Sequence, residues 1–216
     1  MTSPYADRMG IWATQVTPRL VAAGGEDEKV RALRARACEG LHGDVVELGF
    51  GSGLNVGLYP STVTRVIAVE PSDVAWELGA ERRARSTVPI VRGDLDGQWL
   101  SLPDASADGV LSTFTLCTIP DVHRALAEVR RVLRPGGALH FLEHGIAPEE
   151  GVQQWQRFLE PVQKRVFDGC HLTRPIDRLV EESGLVIEEI DRAYALTPKL
   201  MRPWVFGYLG RAGRPA

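Results

Sequence analysis

Apolar positions along this chain follow two rhythms. Short apolar runs of strand length alternate with stretches in which apolar residues return every three or four positions. The runs at Val45–Leu48, Val66–Val69, Pro89–Arg92, Gly109–Thr113 and Ala138–Glu143 predict five strands. The stretches Leu54–Leu58, Asp73–Arg85 and Val122–Leu133 predict helices between them. In RVLRPGG, Pro135 cannot continue the last of these helices, and Gly136 and Gly137 permit a turn into the next strand. Upstream, Asp27–Leu41 predicts a helix burying Val30, Leu33 and Ala37. Tyr5, Met9, Trp12 and Val16 predict an amphipathic helix that Pro18 interrupts. Downstream, Thr173 with Pro175 marks a helix start, and Leu185–Ile190 and Trp204–Leu209 read as an antiparallel closing pair of strands.

The stretch from Gly145 to Arg174 is longer than a simple crossover needs. Val152, Trp155, Phe158, Leu159, Val162 and Val166 recur there at helical spacing, and Pro161 implies a kink or a fresh start. Such a stripe is ordinarily core. Together with Tyr5, Met9 and Trp12 it is also a candidate roof over an apolar pocket.

Strand–helix alternation of this kind implies an α/β fold: a seven-stranded, mostly parallel, doubly wound sheet with an antiparallel C-terminal strand pair. At 216 residues the chain fits one domain. Within it, 1–42 form an N-terminal helical cap, 43–143 the sheet core, 144–174 a substrate-side insertion or lid, and 175–216 the C-terminal helix and closing strands. Apolar residues make up 44% and charged residues 25%, as in globular proteins, and the net charge of −3 is interspersed. No Lys/Arg-rich block offers a phosphate-backbone footprint, so nucleic acid is not expected as a partner. No apolar run approaches the ~18 residues of a membrane span. Neither a basic leader nor an apolar segment opens the chain, so a cytoplasmic location is expected. Cys38, Cys117 and Cys170 are an odd number without CxxC spacing and read as reduced thiols. The adjacent Cys170 and His171 have no second pair at ligand spacing, so no metal site is expected.

The densest chemistry lies in DVVELGFGSGLN, residues 44–55. A strand closes on Glu47, and Gly49, Gly51 and Gly53 follow at every second position, where the backbone can turn sharply and approach a ligand. This strand, glycine turn and following helix N-terminus read as the nucleotide-binding corner of a Rossmann-like, doubly wound fold. A dinucleotide fingerprint requires its third glycine where this chain has Leu54, which argues against NAD(P). Glu70 ends the second strand 17 positions after Gly53, where a carboxylate reaches ribose hydroxyls; a solvated strand-end acid is the plainer alternative. Asp94 and Leu95 follow the third strand, placed to meet an adenine edge and cover its ring, although a Gly-Asp pair also makes turns.

Acid-x-G-x-G-x-G resembles motif I of the class I S-adenosylmethionine (SAM) methyltransferases. LPDASADGVLSTFTLCTIPDVHRALAEVRRVLRPGGALHFLEH completes that family's ordered set. TLC at 115–117, EH at 143–144, FDGCHLTR at 167–174 and the ending RPWVFGYLGR are similar to a narrower group, the methyltransferase-like thiol S-methyltransferases of animals and their bacterial relatives. The resemblance runs from about Gly43 to Leu209. Phe50 and Ser52 stand where those relatives usually carry Cys and Thr, and their membrane-anchoring segment has no counterpart in the opening residues here.

The resemblance implies SAM as methyl donor and S-adenosylhomocysteine as product. It places Glu47 near the methionine ammonium, unless that side chain orients the glycine turn from behind. Asn55, Pro71, Thr113 and Thr115 join Gly49, Gly51, Gly53, Glu70, Asp94 and Leu95 as cofactor-contact candidates. A small, apolar acceptor is implied, first of all a thiol, which needs only mild help to lose its proton. His144, beyond the fifth strand, is the candidate base, or else a surface or capping histidine. Cys117, Asp168 and His171 are candidate substrate contacts, with Cys117 alternatively a small buried hydrophobe and the FDGCHLTR residues alternatively loop-forming. Two other readings stay open: O-, N- or C-methylation of a natural product, quinone or lipid headgroup, and a SAM-binding regulatory module without catalysis.

Overall fold

The computed structural model describes Arg19 and residues 27–167, 169–194 and 199–216. The positions Tyr5, Met9, Trp12 and Val16 lie outside them. The strands are β1 (Gly43–Leu48), β2 (Val63–Val69), β3 (Ile90–Arg92), β4 (Ala107–Thr113), β5 (Leu133–His144), β6 (Val186–Tyr194) and β7 (Phe206–Gly213). They form one sheet in the order β3-β2-β1-β4-β5-β7-β6. The first five are parallel, whereas β7 runs antiparallel to both β5 and β6. This is the α/β architecture expected from the sequence.

Both faces of the sheet are covered, as a parallel sheet requires. Consecutive side chains on a strand point to opposite faces, so Val45 and Val46 enter different cores. Val45, Val66, Leu111 and Leu142 pack with Ala37 and Cys38 of α1 (Glu28–Cys38). Val46, Val110, Leu139 and Phe141 pack with α4 (Val122–Val132) and α6 (Ile176–Glu182) through Leu126, Val129, Ile176 and Val180. Asp27 starts α1 by accepting from Lys29 N and Val30 N at 2.9 and 3.2 Å. Asp121 starts α4 by accepting from Arg124 N at 3.0 Å.

Several boundaries depart from the pattern, each for a local reason. Instead of a helix over Leu54–Leu58, a single 3₁₀ turn covers Val56–Leu58, because Asn55 is committed to buried side-chain bonds and Pro60 follows closely. The segment Asp73–Arg85 is divided at Gly79 into α2 (Asp73–Leu78) and α3 (Ala80–Ala84). A Cβ at Gly79 would sit 2.9 Å from Ser52 O, so the break lets the chain pass close under the glycine turn. The helix before RPGG already ends at Val132, and β5 begins at Leu133 with an irregular register through the Pro-Gly-Gly run. Pro135 holds the residue before it away from helical geometry.

α5 (Glu150–Val166) continues unbroken through Pro161, against expectation. Only Val152 of its apolar stripe packs against the main core: Trp155, Phe158 and Val162 are 60%, 74% and 60% exposed, whereas Gln156 and Gln163 are buried. The surface beneath α5 is backbone, and an amide side chain suits it. Gln156 accepts from Ala147 N and donates to Gly145 O and Pro203 O. Thr173 does not cap a helix, since its N–H and hydroxyl both donate to Glu160. The closing strands reach further than read, and Trp204 belongs to a short helix, α7 (Arg202–Val205). Gly210 lies inside β7, where close neighbours favour glycine: a Cβ there would sit 2.6 Å from both the Phe141 ring and Glu189 O.

Candidate functional site

The order of strands reverses between β1 and β4, so a crevice opens beyond their C-terminal ends, where α/β sheets bind ligands. Gly49, Gly51, Glu70, Pro71, Leu95, Thr115, Cys117 and His144, all picked out in the sequence, line it. Gly49 has φ +64°, and a Cβ there would come within 2.1 Å of Thr115 Oγ1, so both conformation and space call for glycine. Glu70 binds the turn from the far side, Oε2 accepting from Gly51 N and Oε1 from Ser72 N, each at 2.7 Å. Phe50 faces the opposite way and packs on Trp76 with ring centroids 5.4 Å apart, leaving the crevice side of the turn to backbone.

Other predicted contacts lie behind the crevice wall. Glu47 is fully buried and accepts from Asn55 Nδ2 at 2.9 Å and from the Tyr59 hydroxyl. Thr113 Oγ1 accepts from Asn55 Nδ2 and from Arg34, whose guanidinium also donates to Asn55 Oδ1. Burial pushes the Glu47 carboxyl up to about 7 despite those hydrogen bonds and the Arg34 charge. This network braces the start of the glycine turn, so Glu47 orients it from behind. Gly53 is buried behind the turn beside Val56, facing a separate hollow and not the crevice. Asp94 turns its carboxylate to Ser101, accepting from the backbone N–H at 2.9 Å and the hydroxyl at 2.7 Å, while Asp96, Gly97 and Gln98 reach the crevice instead. No sequence signal marked Arg34, Tyr59 or Asp96, because their roles depend on which loop they meet.

The loop after β4 is held from two directions. Glu143, fully buried in β5, accepts from Ser112 Oγ at 2.7 Å, Thr115 N at 3.0 Å and Cys117 N at 3.1 Å. Arg174, also buried, donates to Leu116 O and to Ile119 O. A carboxylate therefore holds the loop's N–H groups and a guanidinium its carbonyls. The EH and LTR residues of the sequence supply both. His171 N donates to Cys117 O at 2.8 Å, and its ring meets Glu160 Oε1 at 3.2 Å. That turns His171 away from the crevice, making it loop structure rather than a substrate contact. Asp168 lies outside the described residues.

This clamped loop brings three residues together at the crevice floor. Cys170 Sγ lies 3.7 Å from Cys117 Sγ and 4.0 Å from His144 Nδ1. Contact with Cys117 and the neighbouring His144 push the Cys170 thiol down, against the opposing effect of burial, whereas contact with Cys170 and burial push Cys117 up. His144 also stacks on Phe114, ring centroids 4.8 Å apart. Phe114 and His144 form a partition, for both also line a second, apolar chamber with Val30, Leu33, Leu142 and Leu209.

The crevice fits SAM. Gly49, Gly51 and Leu95 offer a close backbone approach and an apolar cover, and Glu70 a carboxylate beside them. Comparison with known proteins agrees. The methyltransferase domain family matches residues 46–141. Human thiol S-methyltransferase TMT1A is 32% identical over 172 residues, covering 76% of this chain and 69% of its own. Rat thiol S-methyltransferase TMT1B is 36% identical over 146 residues, 64% of this chain but only 58% of its own length. Among solved structures, the [4+2]-cyclase SpnF superposes with a TM-score of 0.74 at 17% identity, over 100% of this chain and 98% of that one. That likeness is one of fold.

Proposed function

Since this chain belongs to the class I SAM-dependent methyltransferases, in the group that includes the thiol S-methyltransferases, we propose that it methylates the sulfur of a small apolar thiol. One observation carries the reading: the Phe114–His144 partition separates the SAM crevice from an apolar chamber and belongs to both. An acceptor whose carbon skeleton fills the chamber presents its polar atom beside the partition. There it meets His144, with Cys117 and Cys170 on the crevice side of the same partition.

Bound SAM supplies an electrophilic methyl group on a sulfonium. The residues hold the two partners in line, and such orientation is worth ~7–11 kcal/mol when the bound geometry is near-attack. Gly49, Gly51, Pro71, Leu95 and Thr115 form the cofactor's bed, and Glu70 accepts from the ribose hydroxyls. Glu47, Asn55, Thr113 and Gly53 act one step back, through the shape of the turn, and Asp94 acts through Ser101. The acceptor S–H loses its proton beside His144. The chamber's apolar wall of Val30, Leu33, Leu142, Val205 and Leu209 keeps water off the thiolate.

The test is a panel of aliphatic and aromatic thiols, phenols, amines and quinols with methyl-labelled SAM. Transfer to thiols, rising with the apolar size of the acceptor, is expected. Transfer confined to phenols, amines or carbon acceptors overturns the thiol reading, and SAM binding without transfer to any acceptor makes the protein a SAM-binding module.

A further inference from the structure

We propose that Cys117, His144 and Cys170 form a three-ligand zinc site whose fourth position opens into the crevice. Their ligating atoms lie within 4.8 Å of one another, though they come from the loop after β4, the end of β5 and the loop after α5. Two thiolates on one tetrahedral zinc at ~2.3 Å stand about 3.8 Å apart. The two sulfurs are already 3.7 Å apart. A thiolate and an imidazole on the same ion stand about 3.6 Å apart. The 4.0 Å between Cys170 Sγ and His144 Nδ1 closes with a small ring rotation.

The donor set selects the ion. Two sulfurs and one imidazole suit a borderline-soft divalent cation such as zinc, and poorly suit magnesium or calcium. Two thiolates and a neutral imidazole cancel its charge, as a buried site requires. The supports a metal ligand needs are present as well. Cys117 is held by its N–H to Glu143 and its carbonyl to His171 N, Cys170 by its N–H to Phe167 O, and His144 by Phe114. All three residues line the crevice, so the vacant coordination position faces the bound substrates. Three protein ligands and one open position is the pattern of catalytic rather than structural zinc.

The identity of the fourth ligand rests on the thiol reading above. An acceptor R–SH binds the ion and releases its proton to solvent. Its sulfur lone pair then forms a bond to the SAM methyl carbon as the old C–S bond breaks, the electron pair returning to the homocysteine sulfur. The product R–S–CH3 is a weaker ligand and leaves. His144 serves here as a neutral imidazole ligand, so the acceptor's proton leaves to solvent and not to this ring.

Metal content decides the site without any acceptor. The whole protein, purified without chelator and reduced with a phosphine, is expected to carry about one zinc per chain by plasma mass spectrometry. Cobalt added to the chelated protein should give a thiolate charge-transfer absorption in the near ultraviolet. Cys117→Ser and Cys170→Ser should each weaken cobalt binding on the order of 100-fold, and SAM affinity measured calorimetrically reports that each variant is folded. A folded wild-type chain without zinc and without the charge-transfer band overturns the site, as does undiminished binding in both cysteine variants. Adding an acceptor thiol should shift the visible cobalt bands. If the acceptor panel yields no thiol methylation while zinc and the band persist, the thiol reading falls and the metal site stands.

Discussion

Glu70 is the residue on which the nucleotide reading turns. Its two oxygens take N–H groups from Gly51 and Ser72, which fixes the carboxylate at the crevice wall beside the glycine turn. Hydrogen bonds to a charged acceptor contribute about 1.5–3 kcal/mol. Glu70→Ala is therefore expected to weaken SAM binding roughly 10- to 100-fold by calorimetry. Affinity equal to that of the unmodified chain would remove Glu70 from the ribose. This residue was legible because its distance from the glycine turn is set by one strand–turn–strand unit. Asp94 was legible only as far as its position, since its carboxylate is spent on Ser101 seven residues on. Cys170 and His171, adjacent in sequence, turned out to have different tasks. Neighbours in a loop point apart, and His144, which meets Cys170, comes from another strand altogether.

At the scale of elements, the catalytic face depends on how one loop, residues 114–121, is held. Arg174 reaches it from the segment before α6 and satisfies carbonyls at Leu116 and Ile119. Arg174→Met keeps much of the side-chain volume but leaves buried carbonyls without donors, at about 1–3 kcal/mol each. We expect urea unfolding to show a loss of about 2–4 kcal/mol, with acceptor methylation falling more than SAM affinity. Stability within 0.5 kcal/mol of the unmodified chain, roughly the effect of an unimportant surface change, would refute the clamp. Sequence rhythm identified α4 because it buries one apolar face, and the central strands because both of their faces are covered. It misjudged α5, where the buried side chains are Gln156, bonded to backbone, and Gln163, beside Cys170 at the crevice. A helix pattern records apolarity, and it cannot record that the opposing surface is made of carbonyls.

For the molecule as a whole, the sheet's two faces carry separate cores, and His140 sits buried against α1 with Nδ1 3.1 Å from Ala37 O. Burial, and then the Arg211 charge, push its imidazole from 6.5 down to about 4. The unfolded chain thus binds a proton that the folded chain refuses between about pH 4 and 6.5. Its contribution is fully present above pH 6.5 and is lost as the pH falls toward 4. Across that interval the loss amounts to about 3 kcal/mol. Urea unfolding at pH 7.5 and pH 4 should show His140→Gln losing about 3 kcal/mol less than the unmodified chain. Parallel losses in the two proteins would show that His140 does not govern acid stability. Among the described residues no helix is long and apolar enough to cross a membrane.

By itself the sequence determined the α/β alternation, the glycine turn, a carboxylate at the end of the second strand and the family. Those depend on spacings within one or two adjacent elements, which local geometry makes rigid. Only the tertiary structure decided that Glu47, Asn55 and Thr113 brace the turn with Arg34, and that Glu143 and Arg174 clamp one loop. It alone brought Cys117, His144 and Cys170 within 4.8 Å. These residues are as much as 79 positions apart in the brace and 53 in the cluster. Sheet order and loop closure set such distances, and no periodicity along a chain encodes them.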